Sequence, residues 1–106
     1  YYLLHLEKLT LKKISGMYHD LDGHPSVSVE KGIIITDTVV DKYSERSLLQ
    51  YNMNNQKTTL MKNFYSPPKY FGEIRCDLHP RVDFDKKKIC IDSSHNGKRG
   101  MYIVNY

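Results

Sequence analysis

Gly23-His24-Pro25-Ser26-Val27-Ser28-Val29 is the stretch that decides the fold, because the chain states it a second time. Displaced by fifty-five residues, His24-Pro25-Ser26-Val27-Ser28-Val29 falls on His79-Pro80-Arg81-Val82-Asp83-Phe84, and Ile34-Ile35-Thr36-Asp37-Thr38 falls on Ile89-Cys90-Ile91-Asp92-Ser93. After a two-residue slip in the next loop, Arg46-Ser47-Leu48-Leu49-Gln50-Tyr51-Asn52-Met53 aligns with Arg99-Gly100-Met101-Tyr102-Ile103-Val104-Asn105-Tyr106. A period of this length, made of short strands and turns, predicts an all-β repeat architecture of β-propeller type, with blades that are four-stranded antiparallel sheets.

Outward from that stretch, the pattern is strand and turn throughout, with no segment of helical period. Val27 and Val29 alternate with Ser26 and Ser28, as in a half-buried strand. Glu30-Lys31-Gly32 reads as a hairpin turn, with glycine free to take a positive φ. The Ile33-Ile34-Ile35 run predicts a strand covered on both faces. Arg46 to Met53 and Thr58 to Phe64 complete a sheet, with Asn54-Asn55 at the turn between them.

These signals divide the chain into four parts: outer strands of a preceding blade over 1–16, a complete blade over 17–64, an inter-blade loop over 65–78 and a partial last blade over 79–106. Two blades do not close a ring, which takes at least about four. The chain is therefore expected to be a piece of a larger propeller, associating with the remaining blades or with itself. The 65–78 loop, which holds Ser66-Pro67-Pro68 and Tyr70-Phe71-Gly72, is long for a connection, and long ordered loops on a rigid scaffold are where binding groups collect.

Composition narrows the partners. A net charge of +4 and a pI near 9 come from basic residues interspersed with acidic ones. The densest patch, Lys86-Lys87-Lys88, reads as a solvated turn, so no nucleic-acid partner is expected, and the mild positive bias favours an acidic substrate. No apolar run reaches membrane-spanning length. Two cysteines, Cys76 and Cys90, are too few for a disulfide framework, which favours a reducing, cytoplasmic setting.

His24 and His79 occupy the same repeat position, at the entry of innermost strands, so the architecture should bring them together near a central channel. Neutral imidazole is a common ligand for divalent transition metals, and Asp77 stands two residues before His79, where an extended chain puts both on one face. His24, His79 and Asp77 are thus a candidate ligand set. The competing reading makes each histidine a turn-fixing donor to Asp37 or Asp92, which recur at the matching spacing. A second cluster, His95 with Arg99, and Arg75 beside Asp77, suits an anionic sugar or phosphate. Against that, Asn96-Gly97 marks an ordinary hairpin turn around His95, and Arg46 recurs where Arg99 stands, which gives both arginines a structural reading. Ser93-Ser94-His95 lacks the strand-turn-helix context of a hydrolase nucleophile. His5 and His19 show no partner in the sequence.

The motifs His24-Pro25-Ser26-Val27-Ser28 with Thr36-Asp37-Thr38, and Arg75-Cys76-Asp77-Leu78-His79-Pro80-Arg81 with Ile91-Asp92-Ser93-Ser94-His95, resemble the last blades of propellers related to oligogalacturonate lyase, and more loosely the repeats of TolB-type propellers. The resemblance covers nearly the whole chain, and only the placement of His24 and His79 is particular to the lyase branch. It implies a seven-bladed propeller, a divalent metal, manganese by family habit, and cleavage of acidic oligosaccharides by β-elimination. His24 and His79 match two metal-binding histidines of that family. Asp77 stands where the family has a further histidine, and no glutamine matches near Ile74. Val27 and Val82 replace the tryptophan of the TolB repeat.

Overall fold

The computed structural model describes residues 1–17 and 22–106. The sequence reading of a Met17 to Gly23 loop, with His19 in it, lies largely outside the described residues.

The chain is all-β and every strand pairing is antiparallel. Strands β1 (Tyr2–His5) and β2 (Thr10–Lys13) form a two-stranded sheet. Strands β3 (Ser26–Ser28), β4 (Ile33–Asp37), β5 (Glu45–Asn52) and β6 (Lys57–Tyr65) form a four-stranded one in chain order. A three-stranded sheet follows from β7 (Arg81–Asp83), β8 (Lys88–Ser93) and β9 (Gly100–Asn105). The repeat seen in the sequence is thus a repeat of hairpins: β3–β4 corresponds to β7–β8, and β5 to β9. A 3-10 turn, Gly72–Ile74, interrupts the 65–78 connection and was not apparent in the sequence.

The sheets pack face to face, which explains why consecutive residues are buried in the middle one. On β4 and β5, Ile34, Leu49 and Tyr51 lie toward the first sheet, while Ile35 and Leu48 lie toward the third. Ile35, Leu48, Phe64, Leu78, Ile89 and Ile91 make one core between the second and third sheets, with Tyr102 and Val104 closing its side. Each fully buried Ile or Leu contributes about 1.5–3 kcal/mol of transfer free energy. On the other side, the Tyr51 hydroxyl donates to the Ser15 carbonyl at 2.6 Å, and Tyr1 shares a hydrogen bond with Thr36 Oγ1 at 3.2 Å. Leu48 and Leu49 face different sheets by strand alternation, and a bulge opposite them leaves Met61 of β6 as an extra residue.

The outward faces are apolar at both ends. Tyr2, Leu4 and Leu11 are exposed on the first sheet, and Met101 and Ile103 on the third. Among the described residues no helix is long and apolar enough to cross a membrane.

Candidate functional site

The two His-Pro stretches precede β3 and β7 by two residues, so both histidines leave the sheets at the same end. The Ser26 hydroxyl donates to the Pro80 carbonyl at 2.5 Å and holds these strand entries side by side. His24 and His79 then meet edge to face, ring centroids 4.0 Å apart.

What aligns them is Asp37, fully buried at the end of β4. Its carboxylate accepts the His24 amide at 2.6 Å and the His79 amide at 3.0 Å, and it lies 3.1 Å from His24 Nδ1. A carboxylate against Nδ1 draws the imidazole proton there and leaves Nε2 with its lone pair outward. His79 adopts φ 42, a left-handed conformation that is uncommon for a residue with a side chain. Its amide bond to Asp37 and the Asp92 amide bond to the Leu78 carbonyl, 2.8 Å, hold that conformation in place.

The equivalent of Asp37 in the third sheet behaves differently. Asp92 lies 3.8 Å from His79 Nδ1, beyond a hydrogen bond, and is instead gripped by both terminal nitrogens of Arg81 at 3.0 Å each. The Arg81 fork holds the Asp92 carboxyl below the usual carboxylate range, against the opposing effect of burial. The turn-fixing His-Asp contact expected at both positions therefore forms in full only at His24.

Asp77 joins the histidines, though not by the strand alternation expected from sequence, since the segment before His79 is not a strand. It is drawn in by charge. Arg46, a β5 residue whose side chain is 6% exposed, reaches Asp77 Oδ1 at 2.7 Å, and Arg75 Nε reaches Oδ2 at 2.7 Å. Burial by itself would raise the Asp77 carboxyl, but the Arg75 hydrogen bond and the Arg46 and Arg75 charges outweigh it and hold it below the usual range. One potential ligand atom from each of His24, Asp77 and His79 lies within 4.8 Å of the other two. Bonds of about 2.0–2.2 Å to a divalent ion put three donors roughly 3–4 Å from one another, so the set takes an ion by closing up to about 1 Å. Two imidazoles and a carboxylate suit manganese, iron, nickel or zinc.

Two cavities flank this cluster and share Arg75 and Asp77. One, about 350 Å³, is lined by His24, Arg46, Tyr70 and Phe71 among others, and the second, about 340 Å³, by Cys76, His79, Asp92 and Arg99. Arg99 does not point freely into its cavity. Its guanidinium donates to the Ile74 carbonyl and to the Arg75 carbonyl at 3.2 Å, and it packs over the Tyr70 ring. Arg46 and Arg99, equivalent in the repeat, thus clamp the same segment from two sheets, one through Asp77 and the other through the backbone of residues 74 and 75.

His95 lies elsewhere. It sits between the Phe64 and Tyr102 rings, 5.6 and 4.5 Å away, with Nδ1 at 2.8 Å from Ser93 Oγ, and it lines neither cavity. The sequence reading passed over Arg46 as a partner of Asp77 and Arg81 as the partner of Asp92. The signal available for the first was an arginine two residues before the Leu48-Leu49 pair of an apolar strand. Comparison with protein-family models, with curated proteins and with solved structures finds no match.

Proposed function

We propose that this chain is part of a β-propeller resembling oligogalacturonate lyase, and that it binds a divalent metal, with manganese the first candidate, to act on an acidic oligosaccharide by β-elimination. The observation that carries the reading is the meeting of His24, His79 and Asp77 between two cavities, with the Asp37 carboxylate behind the His24 imidazole. In support of propeller architecture stand the chain-ordered antiparallel sheets packed face to face, with the repeated histidines at one end.

In this reading His24 and His79 hold the ion through their outward nitrogens, Asp77 supplies an oxygen, and Asp37 fixes the ring of His24. The bound metal would supply a positive charge for the uronate carboxylate and for the negative charge that develops as the neighbouring C–H proton leaves. Arg75, exposed at the boundary of both cavities, is placed to pair with a sugar carboxylate, and the exposed Phe71 ring beside Tyr70 offers an apolar face for a pyranose. Besides the three ligands, the described residues lining the cavities include the carboxylates of Asp22 and Asp92, of which Asp92 is held by Arg81.

A second reading has its own observation. Asp37 satisfies both histidine amides and one imidazole, which is what two turn-fixing histidines in a non-catalytic propeller that binds a glycan or protein would need. The test is incubation with oligogalacturonides and Mn²⁺. β-Elimination leaves a carbon-carbon double bond conjugated to the carboxylate, so ultraviolet absorbance that rises only with metal supports the lyase. Metal-dependent binding with no new absorbance supports the binding module, and equal binding of neutral oligosaccharides contradicts the acidic-substrate reading.

A further inference from the structure

Asp77 presents two oxygens, and an arginine occupies each, yet the two arginines differ. Arg46 is 6% exposed, whereas Arg75 is 63% exposed and touches Asp77 through a single 2.7 Å contact from Nε. The backbone beneath Arg75 is fixed, because Arg99 donates to the carbonyls of Ile74 and Arg75. Its side chain alone is free to turn, and both cavities open onto it.

We infer that Arg75 is an anion-operated latch on the metal cluster: it covers Asp77 Oδ2 in the absence of ligand, and a carboxylate entering the 350 Å³ cavity draws it off and uncovers that oxygen for the ion. This rests on the metal reading above and adds a regulation to it. A charge-assisted pair with Arg75 takes up a lone pair of Oδ2 and sets a positive charge beside it, so the ion has to compete with the guanidinium. A carboxylate ligand gives Arg75 another partner and removes that competition. Metal and carboxylate then favour each other's binding, and linkage makes the effect equal in both directions. Arg46, held inside, keeps Asp77 in position throughout.

The experiment is titration of the chain with Mn²⁺, followed by the paramagnetic signal of the free ion, alone and with saturating galacturonate monomer, with galactose as the neutral counterpart. Wild-type protein should bind Mn²⁺ about 5- to 10-fold more tightly with galacturonate, at the lower end of coupling between linked sites, and no more tightly with galactose. Arg75→Ala should bind Mn²⁺ at least as tightly as wild type and show no galacturonate effect. An effect that survives in Arg75→Ala means the sugar carboxylate acts on the ion directly and overturns the latch. Metal binding in wild type that galacturonate leaves unchanged overturns it too, while the metal site stands. Absence of Mn²⁺ binding in both proteins removes the metal reading and the latch with it.

Discussion

The carboxylate of Asp37 accepts the backbone amide of His79 at 3.0 Å, joining the end of a strand in one sheet to the strand entry of the next. The same group takes the His24 amide at 2.6 Å, so one buried side chain sets the spacing of both histidines. Truncating it orphans two backbone donors, each costing about 1–3 kcal/mol where water cannot reach. Asp37→Ala should lower stability in urea by roughly 2–4 kcal/mol on that basis, and Asp37→Asn by less, since one acceptor oxygen remains. A loss below about 1 kcal/mol for the alanine variant would show that the amides find other partners.

The two arginines on Asp77 should separate in their effect on stability. Asp77→Asn leaves the Arg46 guanidinium buried beside a neutral amide, and breaking a buried pair in this way costs about 3–5 kcal/mol. Arg75→Ala removes an exposed partner from the same carboxylate and should change stability by no more than about 1 kcal/mol. Equal losses in thermal melts of the two variants would mean that Arg46 is not the anchor.

Acid should act in part through Asp92. Paired with Arg81, the folded carboxyl gives up its proton at lower pH than in the unfolded chain, where it titrates at about 3.9. The unfolded state therefore binds more protons as the medium is acidified. The stabilisation is complete above that unfolded value and disappears as pH falls through the depressed folded one. With Arg81 half exposed the whole effect is about 1 kcal/mol or less. Arg81→Ala should flatten that share of the acid slope of stability in melts between about pH 5 and 2.5, and an unchanged slope would contradict the assignment.

The apolar outer faces give a prediction about association. Met101 and Ile103 on β9 repeat the positions of Leu48 and Gln50, which on β5 face the third sheet, and they are open. Leu4 and Leu11 are open at the other end. A face from each end of different copies is complementary in the way the internal sheets are, and such head-to-tail contact is heterologous. The chain should sediment as concentration-dependent oligomers, with Ile103→Lys or Leu11→Lys shifting it toward monomer. A monodisperse wild-type monomer would exclude this.

Much of the fold was legible because the repeat fixes register: Ser26 to Ser28 and Arg81 to Asp83 pair with their hairpin partners at equivalent positions. The double burial of Ile34 and Ile35 followed from an unbroken apolar run. The closeness of His24 and His79 followed from their equivalence. The 3-10 turn at Gly72–Ile74 and the left-handed His79 did not, because each depends on tertiary bonds from distant residues, Arg99 for the Ile74 carbonyl and Asp37 for the histidine amide. His95 drew notice by residue type and the turn beside it, but Phe64 and Tyr102 enclose it, and that enclosure depends on sheet packing no local pattern records. Arg46 was hidden in the opposite way, since an arginine in a strand reads as exposed until its carboxylate partner is known.

The most direct measurement is the metal content of the protein after equilibration with Mn²⁺ and removal of free ion, for wild type, His24→Ala and His79→Ala. The account predicts a stoichiometric ion in wild type that is lost from both variants while their folds, followed by circular dichroism, persist. Wild-type protein that retains no ion, together with histidine variants whose only change is a lower melting temperature, would contradict it and leave the two imidazoles as fixtures of their turns.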